Sequence, residues 1–353
     1  MIVMKFGGSV LGTYRDLSTS LESLYNIILP YLLIKKDKRE PKVIIVLSAF
    51  KEITRKLSNI NSSLNFNPKS SDEILSYGEI LTCSVVQKYL EQMNISVKSF
   101  HSHFLKCTDL NLILTDSKHS FANILHIDNR SIESADSDVV LIPGFIGKDE
   151  KNTITTLGFE GSDITAITVA ISIKSTQCIF FKDVGGAYTT NPSSIKSARL
   201  FEILTYKEAI AMSKIGCRLL HTKCIKIAQK HNISILIKDI LETKTTTINA
   251  NKNNSFKFFC IQSNIFDKSF NSVEDHKINI SIHKIHKKYL LSMVEKYGLK
   301  MQNAFEEDEF FFLMSSVSKV NVQETTDIIR EINDELISMI FNNTIGIDFT
   351  YSS

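Results

Sequence analysis

The feature that most constrains this chain is residues 141–170, LIPGFIGKDEKNTITTLGFEGSDITAITVA. An apolar run that ends at Gly144 predicts a buried strand. The polar residues 147–152 and the β-branched residues 153–157 predict a hairpin directly after that strand. We therefore expect this stretch to form one edge of a binding site.

A glycine turn and the start of a helix follow the hairpin. Gly158 and Gly161 bracket the turn, and we place the helix N-cap at Ser162 and Asp163, just before apolar residues at helical spacing. A helix start attracts phosphate or carboxylate because its first backbone N–H groups lack partners within the helix. A Gly-Ser-Asp sequence is more often a plain cap, so these residues alone leave both interpretations open.

A second glycine turn lies near residue 7. Residues 1–6 predict an apolar strand, and Gly7, Gly8 and Ser9 lead from it into a helix. The backbone amides of such a turn can bind phosphate, and Lys5 can place a cation beside it. The spacing of a Walker A loop is absent, and taken in isolation these residues more often form a plain strand-turn-helix. Because Lys5 lies so early in the sequence, we expect its replacement to cost little stability.

Two further apolar runs predict strands of a buried parallel sheet. The first is residues 43–50, VIIVLSAF. The second is residues 177–183, QCIFFKD, and it ends at Asp183. Ligands of open α/β sheets lie beyond the carboxyl ends of the strands, so Asp183 is a candidate site residue. A predicted helix around residues 76–93 carries Glu79 in its first turn, where a carboxylate usually only complements the helix dipole.

Length and composition bound the class of protein. The 353 residues predict two domains, and 41 Lys and Arg against 38 Asp and Glu give no strong net field. This balance argues against nucleic acid or a membrane surface as a partner and favours a small ligand. The apolar stretches are too short to cross a bilayer and no secretory pattern is present, so we expect a cytoplasmic protein. The histidines and cysteines show no metal-ligand spacing, so we expect no protein-held metal.

Several motifs, in the same order along residues 1–239, resemble those of aspartokinases in the amino acid kinase family. They are KFGGSV, SAFKEIT, SYGE, GFIGKDEKNTITTLGFEGSD, KDVGGAYTTNP and LTYKEAIAMSKIGCRLLHTK. The resemblance implies an α/β fold, the amino-acid-kinase αβα sandwich with a mainly parallel central sheet. No single motif is decisive, but their common order is specific.

The resemblance assigns roles to the residues at matching positions. It implies a catalytic centre with Lys5, on the transferred phosphoryl group, and Asp163. For the amino-acid substrate it implies Thr54, Glu79, Phe145, Phe159 and Ser162. For the nucleotide it implies Gly7, Gly8, Ser9, Asp183, Tyr188 and Arg218, where arginine replaces a lysine of the family and keeps its charge but not its geometry.

The chain departs from the family at the substrate turn. Aspartokinases have an arginine at the position of Phe159, and this arginine binds the carboxylate of aspartate that is not phosphorylated. Glu160 replaces a glycine. A charge-assisted bond of that kind contributes about ten- to a hundredfold in binding. Either another cation compensates, with Arg55 directly after Thr54 the nearest candidate by sequence, or the substrate lacks that carboxylate. Ser193 also replaces an arginine that the family places near the phosphates.

The remaining residues predict a smaller second domain. We expect a catalytic domain over residues 1–240, a polar linker and leading strand over 241–262, and a ferredoxin-like α+β domain over 263–353. The resemblance makes this last part a single ACT-like domain, whose final strand we place at residues 337–351. The loop at residues 281–288, SIHKIHKK, lacks the glycine usual in effector-binding ACT loops, so we expect neither lysine nor threonine to inhibit strongly.

The resemblance implies an ATP-dependent phosphotransferase that acts on a carboxyl group, with L-aspartate as the nominal acceptor and 4-phospho-L-aspartate as the product. Mg²⁺ would enter with ATP, bound mainly through phosphate oxygens. The family's use of ACT-like domains implies a homodimer through the C-terminal domain. Two alternatives stay open: a kinase of another small amino acid or metabolite, and a catalytically weak metabolite-binding paralogue.

Overall fold

The computed structural model describes residues 1–12, 16–33, 43–105, 112–158, 160–217, 219–241, 243–251, 257–267, 276–317 and 321–342. Contacts divide the chain into two compact units. The first comprises Met1–Gly186 and Leu220–Ala250, and the second comprises Ala187–Leu219 and Asn251–Ser353. Each unit is thus built from two stretches of chain. The boundaries of the functional domains predicted from the sequence remain predictions. Within the described ranges, no helix is both long and apolar enough to cross a membrane.

The strands of the two units alternate in blocks along the sequence. In chain order the strands are β1 (Ile2–Phe6), β2 (Val43–Leu47), β3 (Val97–Ser99), β4 (Ile113–Thr115), β5 (Ile124–Ile127), β6 (Val139–Pro143), β7 (Ile146–Lys148), β8 (Ile154–Thr156), β9 (Gln177–Phe181), β10 (Ala187–Tyr188), β11 (Leu200–Phe201), β12 (Ile203–Thr205), β13 (Ser234–Lys238), β14 (Thr245–Asn249), β15 (Phe259–Ser263), β16 (His276–His283), β17 (Lys300–Glu307) and β18 (Phe310–Val317). The helices are α1 (Gly8–Leu11), α2 (Leu17–Leu33), α3 (Lys51–Leu64), α4 (Pro68–Gln92), α5 (Ser102–Leu105), α6 (Asn129–Glu133), α7 (Gly161–Ser172), α8 (Tyr206–Lys214), α9 (Thr222–His231), α10 (Lys287–Lys296) and α11 (Val322–Ile337).

A mainly parallel sheet forms the centre of the first unit. Its strands lie in the order β14-β13-β9-β1-β2-β6-β3, and only β14 runs antiparallel to its neighbour within this set. Every residue of β2 and β6 is buried, as expected for parallel strands covered on both faces. The predicted mainly parallel sheet is confirmed.

Helices cover both faces of this sheet. On one face, Met4 and Phe6 of β1 pack in a core with α2 and α4, which contribute Leu24 and Val86 among others. Because successive side chains of a strand point to opposite faces, Lys5 points to the other face. That face carries α7, which contacts β1, β2 and β9. The three layers agree with the predicted αβα sandwich, and they aim Lys5 at α7.

A smaller sheet of order β5-β4-β7-β8 completes the strands of the first unit. Strands β7 and β8 pair antiparallel, with Ile146 opposite Thr156, and the turn between them contains Asn152 in the left-handed region. This is the hairpin that residues 147–157 predicted. It brings the end of β8 back to the start of α7.

The second unit contains an antiparallel sheet of order β15-β16-β18-β17. Helices α10 and α11 pack on it through Leu290, Ile329 and Leu336. The order strand, helix, strand, strand, helix from β16 to α11 confirms the predicted α+β unit up to residue 337. The predicted final strand is wrong in its described part, because Ser338–Asn342 continues α11 as a π-helical turn. Residues 343–353 lie outside the described residues.

Three further local predictions are corrected by the structure. Residues 245–249, predicted as linker, form β14, because Thr246 and Ile248 alternate with partly buried neighbours and are themselves buried. Helix α4 begins at Pro68, so Glu79 lies near its middle and not in its first turn. Helix α7 begins at Gly161 with Glu160 as its N-cap, so Ser162 and Asp163 belong to the first turn.

Candidate active site

The carboxyl ends of four parallel strands lie level with one another in the first unit. Phe6 at the end of β1 pairs with Leu47 of β2 and Phe181 of β9, and Leu47 pairs with Pro143 of β6. The loops that follow these strands leave the sheet at the same edge. In open α/β sheets this is the edge at which ligands bind.

Three charged side chains meet at this edge, and we call them the lysine–aspartate cluster. Lys5 Nζ lies 2.7 Å from Asp163 Oδ1, and Lys182 Nζ lies 3.5 Å from Asp163 Oδ2. The side chains of Lys5 and Asp163 are almost fully buried, whereas that of Lys182 is 19% exposed. The single carboxylate of Asp163 is therefore paired with two ammonium groups.

The charge of Asp163 is set by its two lysine partners. Burial alone would raise the pKa of the Asp163 carboxyl, but the charges of Lys5 and Lys182 outweigh burial and bring the pKa below its ordinary value. Asp163 is therefore ionised at neutral pH. The lysine–aspartate cluster carries a net positive charge, which suits it to bind an anion.

Close packing fixes the start of α7 against the end of β6. A Cβ on Gly144 would lie 2.6 Å from Ser162 Cβ, so no larger residue fits at Gly144 without a shift. Ser162 Oγ lies 2.8 Å from Ser48 Oγ, which follows β2. The serine contact therefore joins the end of β2 to the first turn of α7, and the packing of Gly144 joins the end of β6 to it.

Some backbone N–H groups at the start of α7 already donate hydrogen bonds within the turn before it. Glu160 has a φ of 57° and its side chain makes no capping hydrogen bond. The N–H groups of Gly161 and Asp163 donate to the carbonyls of Gly158 and Glu160. This helix start therefore offers fewer N–H donors to an anion than the sequence predicted, and the cations of the cluster matter more.

Glu79 is a buried carboxyl close to Lys5. The Ala49 N–H donates to Glu79 Oε1 over 3.1 Å, and a Cβ on Gly78 would lie 2.8 Å from Ala49 Cβ. Burial raises the pKa of Glu79 to about 8, although the Ala49 hydrogen bond and the charge of Lys5 both lower it. Glu79 therefore holds a proton at neutral pH until a cationic group enters and favours its ionised form.

Phe145 sits in a strained turn between β6 and β7. Its φ is 67°, in the left-handed region where a side chain costs about 1–2 kcal/mol. The turn is held because the Phe145 N–H donates to Thr165 Oγ1 over 3.1 Å and the Phe145 carbonyl accepts from the Leu157 N–H over 2.9 Å. Backbone strain of this kind is frequent at functional sites.

The amino acid kinase family profile matches residues 1–239. The chain belongs to the amino acid kinase family. It is 31% identical to the aspartate kinase of Pseudomonas putida over 243 residues, which are 67% of this chain and 55% of that protein. It is 26% identical to the aspartokinase of Rickettsia felis over 332 residues, 92% of this chain and 78% of that protein.

A solved structure shares the fold of this member of the amino acid kinase family. It is Escherichia coli aspartokinase III in complex with aspartate and ADP, with a TM-score of 0.59, 16% identity, and coverage of 94% of this chain and 84% of that one. This likeness confirms the predicted fold class. The chain spans about half the length of the first relatives it matches, 55% for the Pseudomonas putida protein.

The structure brings several predicted site residues of this family member together at the strand ends. Lys5 and Asp163 form the cluster, and Glu79 lies within reach of the charge of Lys5. A Cβ on Gly7 would lie 3.5 Å from Lys5 Nζ, and one on Gly161 would lie 3.1 Å from Phe145 Cδ2. The residues that share this edge are Lys5, Gly7, Gly8, Glu79, Phe145, Ser162 and Asp163.

The structure does not place the other predicted site residues in this group. The roles assigned to all of the site residues remain predictions. Ser9, Thr54, Arg55 and Asp183 are exposed. Tyr188 belongs to the second unit, where it is buried in β10. Phe159 and Arg218 lie outside the described residues.

Sequence reasoning missed Lys182 and Ser48. Lys182 directly follows β9, and its side chain faces the same way as that of Lys5, because Lys5 pairs with Phe180 and side chains alternate along the strand. A basic residue directly after a buried strand was the available signal. The register that places it beside Lys5 could not be read from the sequence.

The residues present fit the phosphates of a nucleotide. The glycine turn leaves space beside Lys5 Nζ, and the net positive charge of the lysine–aspartate cluster suits phosphate oxygens. In the part of the chain that the structure describes, no three His, Cys, Asp or Glu side chains converge to hold a metal ion.

Proposed function

We propose that this protein transfers the γ-phosphoryl group of ATP to the side-chain carboxylate of L-aspartate, forming 4-phospho-L-aspartate and ADP. The observation that carries this proposal is the lysine–aspartate cluster at the ends of β1 and β9, beside buried Glu79. Two further findings support it. The relatives are named aspartate kinase or aspartokinase, and the Escherichia coli structure contains aspartate and ADP.

The reaction needs little acid–base chemistry from the protein. A free aspartate side chain has a pKa of about 3.9, so its carboxylate is already a nucleophile at neutral pH. One carboxylate oxygen forms a bond to the γ-phosphorus while the bond from that phosphorus to the β,γ-bridging oxygen breaks, and ADP leaves with the electron pair. Catalysis then consists mainly of positioning and of neutralising negative charge.

The residues at the strand ends would divide these tasks. Lys5 would contact the transferred phosphoryl group, and Asp163 would hold Lys5 in place through its 2.7 Å ion pair. Gly7 and Gly8 would let the phosphates approach the backbone closely. Mg²⁺, entering with ATP, would neutralise phosphate charge.

Glu79 would bind the ammonium group of the amino acid. A buried carboxyl with a raised pKa becomes ionised when a cation binds beside it, so the amino group would convert Glu79 to its carboxylate. A ligand without that amino group would leave Glu79 protonated. Recognition of the amino group would therefore separate amino acids from simple dicarboxylic acids.

The carboxylate of aspartate that is not phosphorylated needs its own partner. Phe159 stands where the resemblance expects an arginine, and Arg55 is exposed on α3. We propose that Arg55 supplies this charge. Arg55→Ala should raise the KM for aspartate about ten- to a hundredfold, whereas the exposed Lys56→Ala beside it should not. An unchanged KM for Arg55→Ala would rule out this compensation.

A direct assay tests the acceptor. The full chain is incubated with Mg-ATP and a panel of L-aspartate, L-glutamate, L-asparagine and succinate, with ADP release and hydroxamate formation measured in parallel. We expect a hydroxylamine-trapped acyl phosphate with aspartate and none with Lys5→Met. Turnover of another acceptor without aspartate turnover would overturn the assignment. The double change Phe159→Arg with Glu160→Gly should improve the use of aspartate if the substrate turn has been interpreted correctly.

We also propose that the second unit mediates a homodimer. Strand β17 is the last strand of its sheet, and Lys300–Asn303 at its start are exposed. An open strand edge can pair with the same edge of another copy. Analytical ultracentrifugation of the wild type and of Met301→Pro, which would disrupt this edge strand, would test this assignment. A monomeric wild-type protein at micromolar concentration would contradict it.

A further inference from the structure

Lys182 is a second cation at the site, and its position differs from that of Lys5. It directly follows β9, and its backbone is held in place because the Lys182 N–H donates to the Lys238 carbonyl over 2.9 Å. Its ammonium lies 3.5 Å from Asp163 Oδ2, against 2.7 Å for the closer Lys5–Asp163 contact. Lys182 is therefore fixed at its backbone while its ammonium is the more loosely paired of the two.

The charges within the lysine–aspartate cluster do not balance. Lys5 alone already neutralises Asp163, so Lys182 adds a positive charge that Asp163 does not need. Glu79 does not supply the missing negative charge, because burial keeps it protonated at neutral pH. A partly buried cation beside a neutral ion pair is costly unless an anion joins it. The excess charge points to an anionic ligand.

The position of Lys182 also matches the predicted phosphate turn. A Cβ on Gly7 would lie 3.5 Å from Lys5 Nζ and 3.9 Å from the carbonyl of Phe181, the residue before Lys182. The glycine turn thus lies between Lys5 and the end of β9. The Lys182 side chain is 19% exposed against 7% for Lys5, so its ammonium remains reachable from solvent.

We propose that Lys182 is a second phosphate-binding residue of this site, which shares Asp163 with Lys5 and contacts phosphate oxygens of the bound nucleotide. This inference rests on the proposed kinase function. Lys5 and Lys182 would bracket the phosphates from neighbouring strands, and Asp163 would keep the two ammonium groups from repelling each other. Binding of the triphosphate then supplies the anion that balances the excess charge.

The test compares nucleotides that differ only in their phosphates. Binding of adenosine, ADP and a non-hydrolysable ATP analogue with Mg²⁺ is measured by titration calorimetry, without any acceptor. Lys182→Met should weaken the ATP analogue about ten- to a hundredfold and leave adenosine unchanged, since one charge-assisted contact is lost. Lys182→Arg, which keeps the charge, should recover most of the affinity. The control Lys226→Met removes an exposed lysine of α9 and should change none of the three.

The outcomes separate this inference from the proposed function. If Lys182→Met leaves the affinity for the ATP analogue unchanged, or weakens adenosine equally, Lys182 is only a structural partner of Asp163 and the inference fails. If the phosphate-selective loss appears but wild type does not phosphorylate aspartate, Lys182 keeps its role and only the acceptor is wrong. If the wild type binds no ATP analogue, both the inference and the proposed kinase function fail.

Discussion

Ala49 and Glu79 are joined by a hydrogen bond that ties the loop after β2 to the middle of α4: the Ala49 N–H donates to Glu79 Oε1 over 3.1 Å. The partner of this hydrogen bond is a buried carboxyl whose pKa is raised to about 8 by burial. The contact between this loop and α4 and the protonation of a buried carboxyl therefore both depend on Glu79. Measurements at different pH values can test both.

The stability of the protein should depend on pH through Glu79. The unfolded chain ionises this group near the ordinary value of 4.5, whereas the native protein holds the proton up to about 8. Between these values the native state binds more protons, so its free energy of unfolding falls as pH rises, by at most about 1.4 kcal/mol per pH unit. Glu79→Gln does not titrate. The stability difference, wild type minus variant, should decline from pH 5 to pH 8 and then level off.

Urea denaturation of both proteins at pH 5, 6, 7, 8 and 9 measures this difference. Glu133→Gln, which changes an exposed carboxyl on α6, is the matched control and should give no comparable trend. Parallel stability curves for wild type and Glu79→Gln would show that Glu79 is not protonated in the native protein.

The Lys5–Asp163 pair should show strong energetic coupling. From its position in the sequence, we expected the replacement of Lys5 to cost little stability. The structure shows instead that β1 lies between β2 and β9 and that the Lys5–Asp163 pair is almost fully buried. Removing one partner of a buried pair costs about 3–5 kcal/mol because the other charge remains. Asp163→Asn should destabilise more than Lys5→Met, since it leaves two lysines without their carboxylate. Lys5→Met with Asp163→Asn should cost clearly less than the sum of the single changes.

A double-mutant cycle by urea unfolding measures this coupling, with phosphoryl transfer assayed on the same proteins. Each single variant should lose at least about a hundredfold in kcat, because a cation at the developing charge contributes several kcal/mol to the transition state. Additive stability costs would mean that the pair contributes no mutual stabilisation, and near-normal turnover by Lys5→Met would exclude Lys5 from catalysis.

The turn before α7 should become more stable when its strain is relieved. Glu160 has a φ of 57° and caps α7 without a side-chain hydrogen bond. Glycine adopts this conformation freely, although it also gains entropy in the unfolded chain, so Glu160→Gly should raise stability by up to about 1 kcal/mol. Glu160→Ala, which removes the charge but keeps the strain, is the control and should not stabilise. A lower melting temperature for Glu160→Gly than for Glu160→Ala would contradict this account.

Lysine and threonine should not strongly inhibit the proposed kinase activity. The loop after β16 lacks glycine and is held by its own contacts: His283 Nδ1 accepts from the Ile285 N–H over 3.3 Å, and the Lys284 N–H donates to the Glu309 carbonyl over 2.9 Å. An effector must bind two states differently to act, and these hydrogen bonds already use two backbone N–H groups of the loop. Rates with 10 mM lysine or threonine should stay within about twofold of the uninhibited rate. Tenfold inhibition would show that the effector site is intact.

The sequence predicted local elements wherever the pattern of buried and exposed residues was strong. The apolar runs of β1, β2, β6 and β9 and the hairpin of β7 and β8 lie where their residues indicated. Errors arose where two patterns competed. Residues 245–249 look polar, yet their threonines fit a half-buried strand, and residues after Ile337 continue a helix because Leu336 and Ile340 lie one turn apart in the same core.

The sequence by itself determined the family, the parallel sheet and the residue types at the strand ends, because these depend on short-range periodicity and on motifs that are contiguous in the chain. The tertiary structure decided that Lys182 lies beside Asp163 and that Glu79 is buried under Ala49. Both relationships join segments far apart in sequence, and they depend on the register of neighbouring strands and on helix packing. The charges at the site are set by desolvation and by ion pairs across those distances, so only the folded chain determines them.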